Sequence, residues 1–230
     1  MTALWRWLAD PAHWSGPNGL AQRLGEHVGY AAAATAFAAV LVLPVALWIG
    51  HTGRGRLLAI QVGNLGRAIP TFGLILAAFT LFGYGLTPVY VALVALAVPP
   101  ILVNTVAGIR QVDPEIVEAA RGMGMTEPQV LWRVELPIAL PVLMAGIRTS
   151  AVQVVATATL AAVIGLGGLG RPIVDGLAQG VTYNPAARAM VLAGALGVAL
   201  LSVLTEWGLA AVERRLAATR GGATHWNITD

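Results

Sequence analysis

The chain contains no cysteine and no lysine in its 230 residues. Without cysteine there is no disulfide framework and no thiol chemistry. Without lysine there is no Walker A phosphate loop, which requires Lys after its second Gly, so this chain is not itself a P-loop ATPase. Charge is scarce as well. Only 11% of the residues are Asp, Glu, Lys or Arg, against about 25% in a soluble domain. The histidines, His13, His27, His51 and His225, have no paired spacing for a metal. The serines are Ser15, Ser150 and Ser202, and none lies in a G-x-S-x-G elbow. Metalloenzyme and serine-hydrolase readings therefore have no residues to carry them.

What the chain has in excess is apolar length: 57% of it is hydrophobic. Long apolar runs separated by short polar loops are what a bilayer core about 30 Å thick requires, at about 20 residues per helix. The fold expected is an all-α integral membrane protein with five core spans. They are read at about Val28–Ile49, Leu57–Phe82, Pro88–Ile109, Leu136–Ile164 and Ala186–Val212. Pro44 is expected to kink the first, Gly63, Gly66 and Pro70 to interrupt the second, and Pro99-Pro100 to lie inside the third. Such breakers are tolerated where neighbouring helices re-satisfy the backbone. Residues 1–27, with Trp5, Trp7 and Trp14 among charged residues, read as an interfacial segment. They lack the charged and small-residue signals of a cleaved leader. Trp48, Trp132 and Trp207 lie near span ends and read as interface anchors. Arg171–Gly180 is too short to span and reads as a short helix at the outer surface.

All 14 basic residues are arginine, and the pI is near 9.9. They flank apolar runs rather than forming a basic face, which argues against nucleic acid. With the polar 113–135 loop placed inside, eight arginines are inner (Arg54, Arg56, Arg110, Arg121, Arg133, Arg214, Arg215, Arg220) and four are outer (Arg6, Arg23, Arg171, Arg188). That excess predicts the N-terminus outside and the C-terminus in the cytoplasm. The sequon Asn227-Ile228-Thr229 then falls on a cytoplasmic tail, where it has no meaning for glycosylation.

The polar loop carries helix punctuation. Asp113 is suited to an N-cap and Pro114 to the first helical position. Ala119 and Ala120 are small enough for close packing. Gly122 and Gly124 are expected to end the helix in a sharp turn, and Thr126 and Gln129 to box the start of a second short helix. The expected product is a compact knob of two angled helices, with Met123 and Met125 as adaptable apolar contacts. The run Gly165–Gly170, GLGGLG, satisfies G-x-G-x-x-G. An apolar helix and not a strand precedes it, so it is not a dinucleotide site but reads as a flexible outer turn.

Ionisable residues inside spans are functional candidates by default. Arg148 lies about three turns into the fourth span, and Thr149, Gln153 and Thr157 share roughly one face. Two readings stand for this group: the lining of a polar passage, or hydrogen bonding between helices. Asn104 and Thr105 near the inner end of the third span either face that passage or cap the helix. Arg67 reads as snorkelling to the inner face.

Glu118, Ala119, Ala120 and Gly124, followed by Val134, Leu136 and Pro137, resemble the cytoplasmic coupling loop of permease subunits in ABC importers, E-A-A-x3-G-x9-I-x-L-P. The resemblance extends from about Leu4 to Leu216 and is to the osmoprotectant importers, for glycine betaine, choline, carnitine and proline betaine. It rests on DPAHWSGPNGLAQRLGEHVGY, AIPTFGLIL, VDPEIVEAARGMGMTEPQVLWRVELPIALPVLMAGIRTS and ATATLAAVIGLGGLG. Family members often carry Gln at Arg67 and Asp at Arg171. The resemblance implies a fold like the methionine-importer permease, with residues 28–216 as the permease domain and 217–230 as a cytoplasmic tail. It implies that Glu118, Ala119, Ala120, Arg121, Gly122, Met123, Gly124, Met125, Leu136 and Pro137 receive an ATPase, and that Asn104, Arg148, Thr149, Gln153 and Thr157 are candidates for the pathway. The partners implied are two cytoplasmic ATPases, which hold the ATP and magnesium, a second permease subunit, identical or paralogous, and a separate external binding protein. No cofactor is expected in this chain. The alternatives are a permease for another small polar solute such as an amino acid, and, in a different class, a membrane enzyme or scaffold.

Overall fold

The computed structural model describes residues 2–221, apart from the side chains of residues 2, 67, 68 and 217–221. The expectations placed on the side chains of Arg67 and Arg220, and on His225 and the 227–229 sequon, lie outside the described residues.

Among the described residues ten α-helices follow one another: α1 (Thr2–Ala9), α2 (Leu20–Thr52), α3 (Arg56–Ala68), α4 (Thr71–Phe82), α5 (Leu86–Arg110), α6 (Pro114–Gly122), α7 (Glu127–Val130), α8 (Leu136–Thr157), α9 (Gly170–Ala178) and α10 (Pro185–Gly221). No strand occurs among the described residues. Among the described residues four stretches are long and apolar enough to cross a bilayer: Leu20–Thr52, Leu86–Arg110, Glu127–Ile164 and Pro185–Leu216. The first span therefore begins at Leu20, eight residues before the expected boundary. Residues 20–27 are its first two turns, and only α1 and the turn after it precede the bundle.

The second expected span is not one helix. α3 and α4 meet at 96°. The cause is Pro70, which lacks an N–H and pushes Ile69 to an extended conformation, ψ 120°. Gly63 and Gly66, expected to interrupt, do not. They seat α3 on α5: a Cβ on Gly66 would lie 2.2 Å from Pro99 Cγ, and one on Gly63 2.6 Å from Val103 Cγ2. The bent pair still joins the two ends of the bundle. Gly55, before α3, lies beside Ile49, whereas Tyr84, after α4, donates its hydroxyl to the Gly165 carbonyl.

The centre is α5, packed on α2 and α8. Ala31, Ala34, Ala38, Val42 and Ala46 recur every three or four residues along α2, and meet Ala92, Leu93, Ala97 and Ile101 of α5. Small residues let backbones approach where lipid supplies no hydrophobic drive. A Cβ on Gly146 of α8 would sit 2.6 Å from Asn104 Cβ, and one on Gly50 of α2 2.8 Å from Ile109 Cβ. Pro44, Pro99, Pro100 and Pro141 all lie inside helices that continue past them. α9 packs between α10 and the 3-10 turn Ala158–Ile164 that finishes the α8 span.

Candidate functional site

The polar loop folds as its punctuation predicts at the start. Asp113 Oδ1 accepts from Glu115 N at 2.9 Å, and Pro114 opens α6. The exit is a Schellman turn: Met125 N donates to the Ala120 carbonyl and Gly124 N to the Arg121 carbonyl, with Gly124 at φ +82°. Gly122 has no positive φ among the glycines and is the last residue of α6, so Gly124 alone makes the turn. Gln129 Oε1 accepts from Thr126 N at 2.9 Å, as the capping box requires.

The second helix of the knob is not short, however. α7 passes through a π-helical turn, Leu131–Glu135, directly into α8, and Leu136 and Pro137 are the first residues of that span. A π turn widens the helix by a residue and is common at functional sites. Here it leaves Trp132 exposed and Glu135 buried. The loop is thereby joined to the α8 span without a break in the helix.

α6 is two-faced. Val117 and Ala120 are buried with Leu47 of α2, Ile109 and Val112, and Val130, Ala139 and Leu143. Ile116, Ala119 and Met123 form the outer face at helical spacing, and Met123 is 77% exposed. Glu118, Arg121 and Gly122 border it, also exposed, and Met125 is half-buried against the core. Ile116 was not singled out from sequence. Its signal was its place three residues before Ala119. Arg121 grips Glu127 with two hydrogen bonds, Nε and Nη2, each 2.9 Å. Donating these hydrogen bonds to Glu127 holds the guanidinium pKa above its ordinary value.

A cavity of about 460 Å³ opens between α3, α5 and α8. Asn64, Thr71, Asn104, Thr149 and Gln153 line it, between Leu96, Pro99, Pro100 and Val103. Asn104 turns its amide back to the Pro100 carbonyl at 2.8 Å. Of the predicted polar group, Asn104, Thr149 and Gln153 thus come together. Thr157 and Arg148 do not line this cavity. Arg148 lies on the other side of α8, where Nε is 3.2 Å from Glu206 and Nη1 3.1 Å from Glu213 of α10. Those carboxylates were readable as acidic residues seven apart in an apolar run, but nothing in the sequence tied them to Arg148. Thr105 is fully buried and faces neither the cavity nor a capping position at the end of α5.

At the opposite end of the bundle the glycine turn is held in place rather than flexible. Glu26 Oε2 accepts from Gly168 N at 2.8 Å, while His27 accepts from Leu169 N at 3.2 Å and donates to the Val155 carbonyl at 2.8 Å. His27 is fully buried. Gly165 and Gly168 have φ near +85° (+86° and +84°). Gly170 has no room for a side chain, because a Cβ would lie 2.0 Å from the Thr159 carbonyl oxygen.

The fold is that of an inward-facing structure of the MetNI methionine ABC transporter, with a TM-score of 0.74 over 90% of this chain and 99% of that one, at 21% identity. In sequence the chain is 37% identical over 180 residues to the carnitine transport permease protein OpuCD of Listeria monocytogenes, covering 78% of each. It is 36% identical over 191 residues to the choline transport system permease protein OpuBB of Bacillus subtilis, covering 83% of this chain and 85% of that one. It is 34% identical over 197 residues to the glycine betaine/carnitine/choline transport system permease protein OpuCB of the same organism, covering 86% and 88%. Residues 42–218, which include the polar loop, the cavity and the glycine turn, match the binding-protein-dependent transport system inner membrane component, and the chain belongs to that family.

Proposed function

We propose that this chain is the membrane permease subunit of an ATP-driven importer of osmoprotectants, quaternary amines such as glycine betaine, choline and carnitine. The observation that carries the reading is the likeness, along most of both lengths, to permeases named for carnitine and choline. The polar loop is cytoplasmic in this reading, and the N-terminus is outside. The exposed Ile116, Ala119 and Met123 face of α6 docks on a separate ATPase that holds the ATP and magnesium. An exposed apolar helix face rimmed by charges fits a groove on such a partner. ATP-driven closure of the ATPase pair moves α6, and the continuous α7–α8 helix carries the motion to the wall of the cavity. Asn64, Asn104, Thr149 and Gln153 are neutral dipoles that solvate a zwitterion or a quaternary cation without a countercharge to hold it. A second permease subunit closes the open side, and an external binding protein selects the solute with an aromatic cage of its own.

The test is uptake of labelled glycine betaine, choline and carnitine in high-osmolarity medium, with and without this chain. Loss of at least one uptake on deletion, restored by re-expression, supports the reading. If all three persist and uptake of an amino acid is lost instead, the solute is an amino acid and the osmoprotectant assignment fails.

A further inference from the structure

His51 closes the last turn of α2 and stands between two carboxylates from different parts of the loop. Nδ1 is 2.6 Å from Glu135 Oε2, and Nε2 is 3.0 Å from Glu127 Oε2. Glu135 is buried in the π turn and Glu127 is exposed at the start of α7. Ionised carboxylates only accept hydrogen bonds, and a neutral imidazole has one N–H. Two short contacts to two carboxylates therefore need two hydrogens, one more than the neutral ring supplies. We infer that His51 is a positioning residue that clasps the loop to the end of the first span, and that the clasp is complete only while it holds this additional proton.

The terminal carbonyls of α2 present their negative end to His51, and Gly53 at φ +71° closes that helix. The groups facing the ring are Glu127 and Glu135. Arg121 stands behind Glu127, with Glu118 near Arg121. From α5, Arg110 reaches toward Gly53, its Nη1 3.0 Å from where a Cβ would stand. Without His51 the loop meets α2 through Leu47 alone among the buried residues of that cluster. Apolar contact of that kind can slide, whereas a charged hydrogen bond to Glu135 with an ion-pair contact to Glu127 fixes direction as well as distance. The clasp thus makes α2 follow the loop together with α8.

This inference rests on the loop's being the element that transmits ATPase movement. The experiment uses the whole importer, permease with ATPase and binding protein, in proteoliposomes. It reads solute moved per ATP hydrolysed across a pH series. Wild type is expected to lose coupling on the alkaline side, as the extra proton leaves. His51→Gln should move at least about threefold less solute per ATP, the factor that corresponds to a partly exposed ion pair, and its ratio should be flat with pH. Glu127→Gln, at an exposed position, carries the test if His51→Gln fails to accumulate, and should likewise flatten the profile. A ratio and a profile equal to wild type in the accumulating variant overturns the clasp. Gly124→Val separates the two ideas. If it uncouples the importer while His51→Gln does not, only the clasp fails; if it leaves coupling intact, the loop itself is not the transmission element.

Discussion

Arg148 Nη1 lies 3.1 Å from Glu213 Oε2, a bond between α8 and α10 made within the apolar bundle. Glu206 takes the other edge of the same guanidinium, at 3.2 Å. One cation thus holds two carboxylates seven residues apart on a facing helix, and it does so away from the polar cavity. Arg148→Met leaves those carboxylates uncompensated. Each side chain is half-buried, so the expected cost is about 1–3 kcal/mol, below the full value for a buried pair. Membrane abundance and melting temperature in detergent should fall. Adding Glu206→Gln and Glu213→Gln should restore much of both. If the triple variant is no more stable than Arg148→Met, the ion pairs are not the reason for the loss.

The cavity gives a different signature. Thr149→Val with Gln153→Leu removes polar lining from α8 without altering its core face, where Ala151, Val154 and Val155 are buried. Abundance should stay near wild type while solute uptake drops about tenfold, as expected when a desolvated polar path loses hydrogen bonds worth about 1–2 kcal/mol. Unchanged uptake at unchanged abundance would remove this cavity from the pathway.

Orientation is testable by thiol labelling because the chain has no cysteine of its own. Tyr183, 93% exposed between α9 and α10, and Met123, 77% exposed on the loop, are suitable single positions. A membrane-impermeant reagent on intact cells should label Tyr183→Cys and spare Met123→Cys. Reverse labelling overturns the assignment. Gly85, which its loop position in the sequence would recommend, is a poor choice, since φ +144° there strains any other residue.

Gly124→Val should act through the backbone. Nothing lies within 4 Å of a Cβ at this site, so there is space, but φ +82° is disfavoured for a β-branched residue by about 1–3 kcal/mol. The Schellman turn should open and α6 should tilt away from α7. Co-purification with the ATPase should weaken and stimulated hydrolysis should be lost, with the spans still inserted. Glu118→Ala should act the same way by about 1 kcal/mol or less, its side chain being exposed. Full ATPase retention by Gly124→Val would dismiss the turn as the seat of docking.

Two glycines of the opposite turn should differ in tolerance. A Cβ at Gly170 would meet the Thr159 backbone at 2.0 Å, and backbone there cannot yield without unwinding the 3-10 turn. At Gly167 the conflict, 1.8 Å, is with the end of the Glu26 side chain, which can swing away. Gly170→Ala should therefore lower the melting temperature more than Gly167→Ala, by about 2 kcal/mol or more in stability. Equal melting temperatures would show that Glu26 is as rigid as the backbone.

Much of this was legible from composition and local chemistry. Apolar runs are set by the bilayer's thickness, so four spans appeared where they were expected, although two of them begin eight or nine residues earlier than the apolar runs suggest. Asp113, Pro114, Gly124 and Thr126 act on backbone groups within a turn of themselves, so their roles needed no partner. The loop's motif spacing sufficed to identify the family that the relatives share. Local patterns misjudged what depended on a neighbour. Gly63 and Gly66 read as breakers because Pro99 and Val103 are distant in the chain; in the fold they are contact points. Pro70 was one breaker among three, and it alone, by holding Ile69 extended, turned a span into a 96° bend.

The rest belonged to the tertiary structure. Arg148 was singled out correctly as a charge needing a partner, but helical periodicity cannot tell which side of α8 faces the cavity and which faces α10. His51 showed nothing by spacing, because Glu127 and Glu135 lie 76 and 84 residues beyond it. Glu26 and His27 were equally silent until the glycine turn folded back onto them. In a membrane bundle a residue's own properties determine whether it can be buried in lipid, and the sequence states that directly. Which polar groups then meet is decided by helix rotation and crossing, and those are set by close approaches such as Gly146 against Asn104 that exist only once the chain has packed.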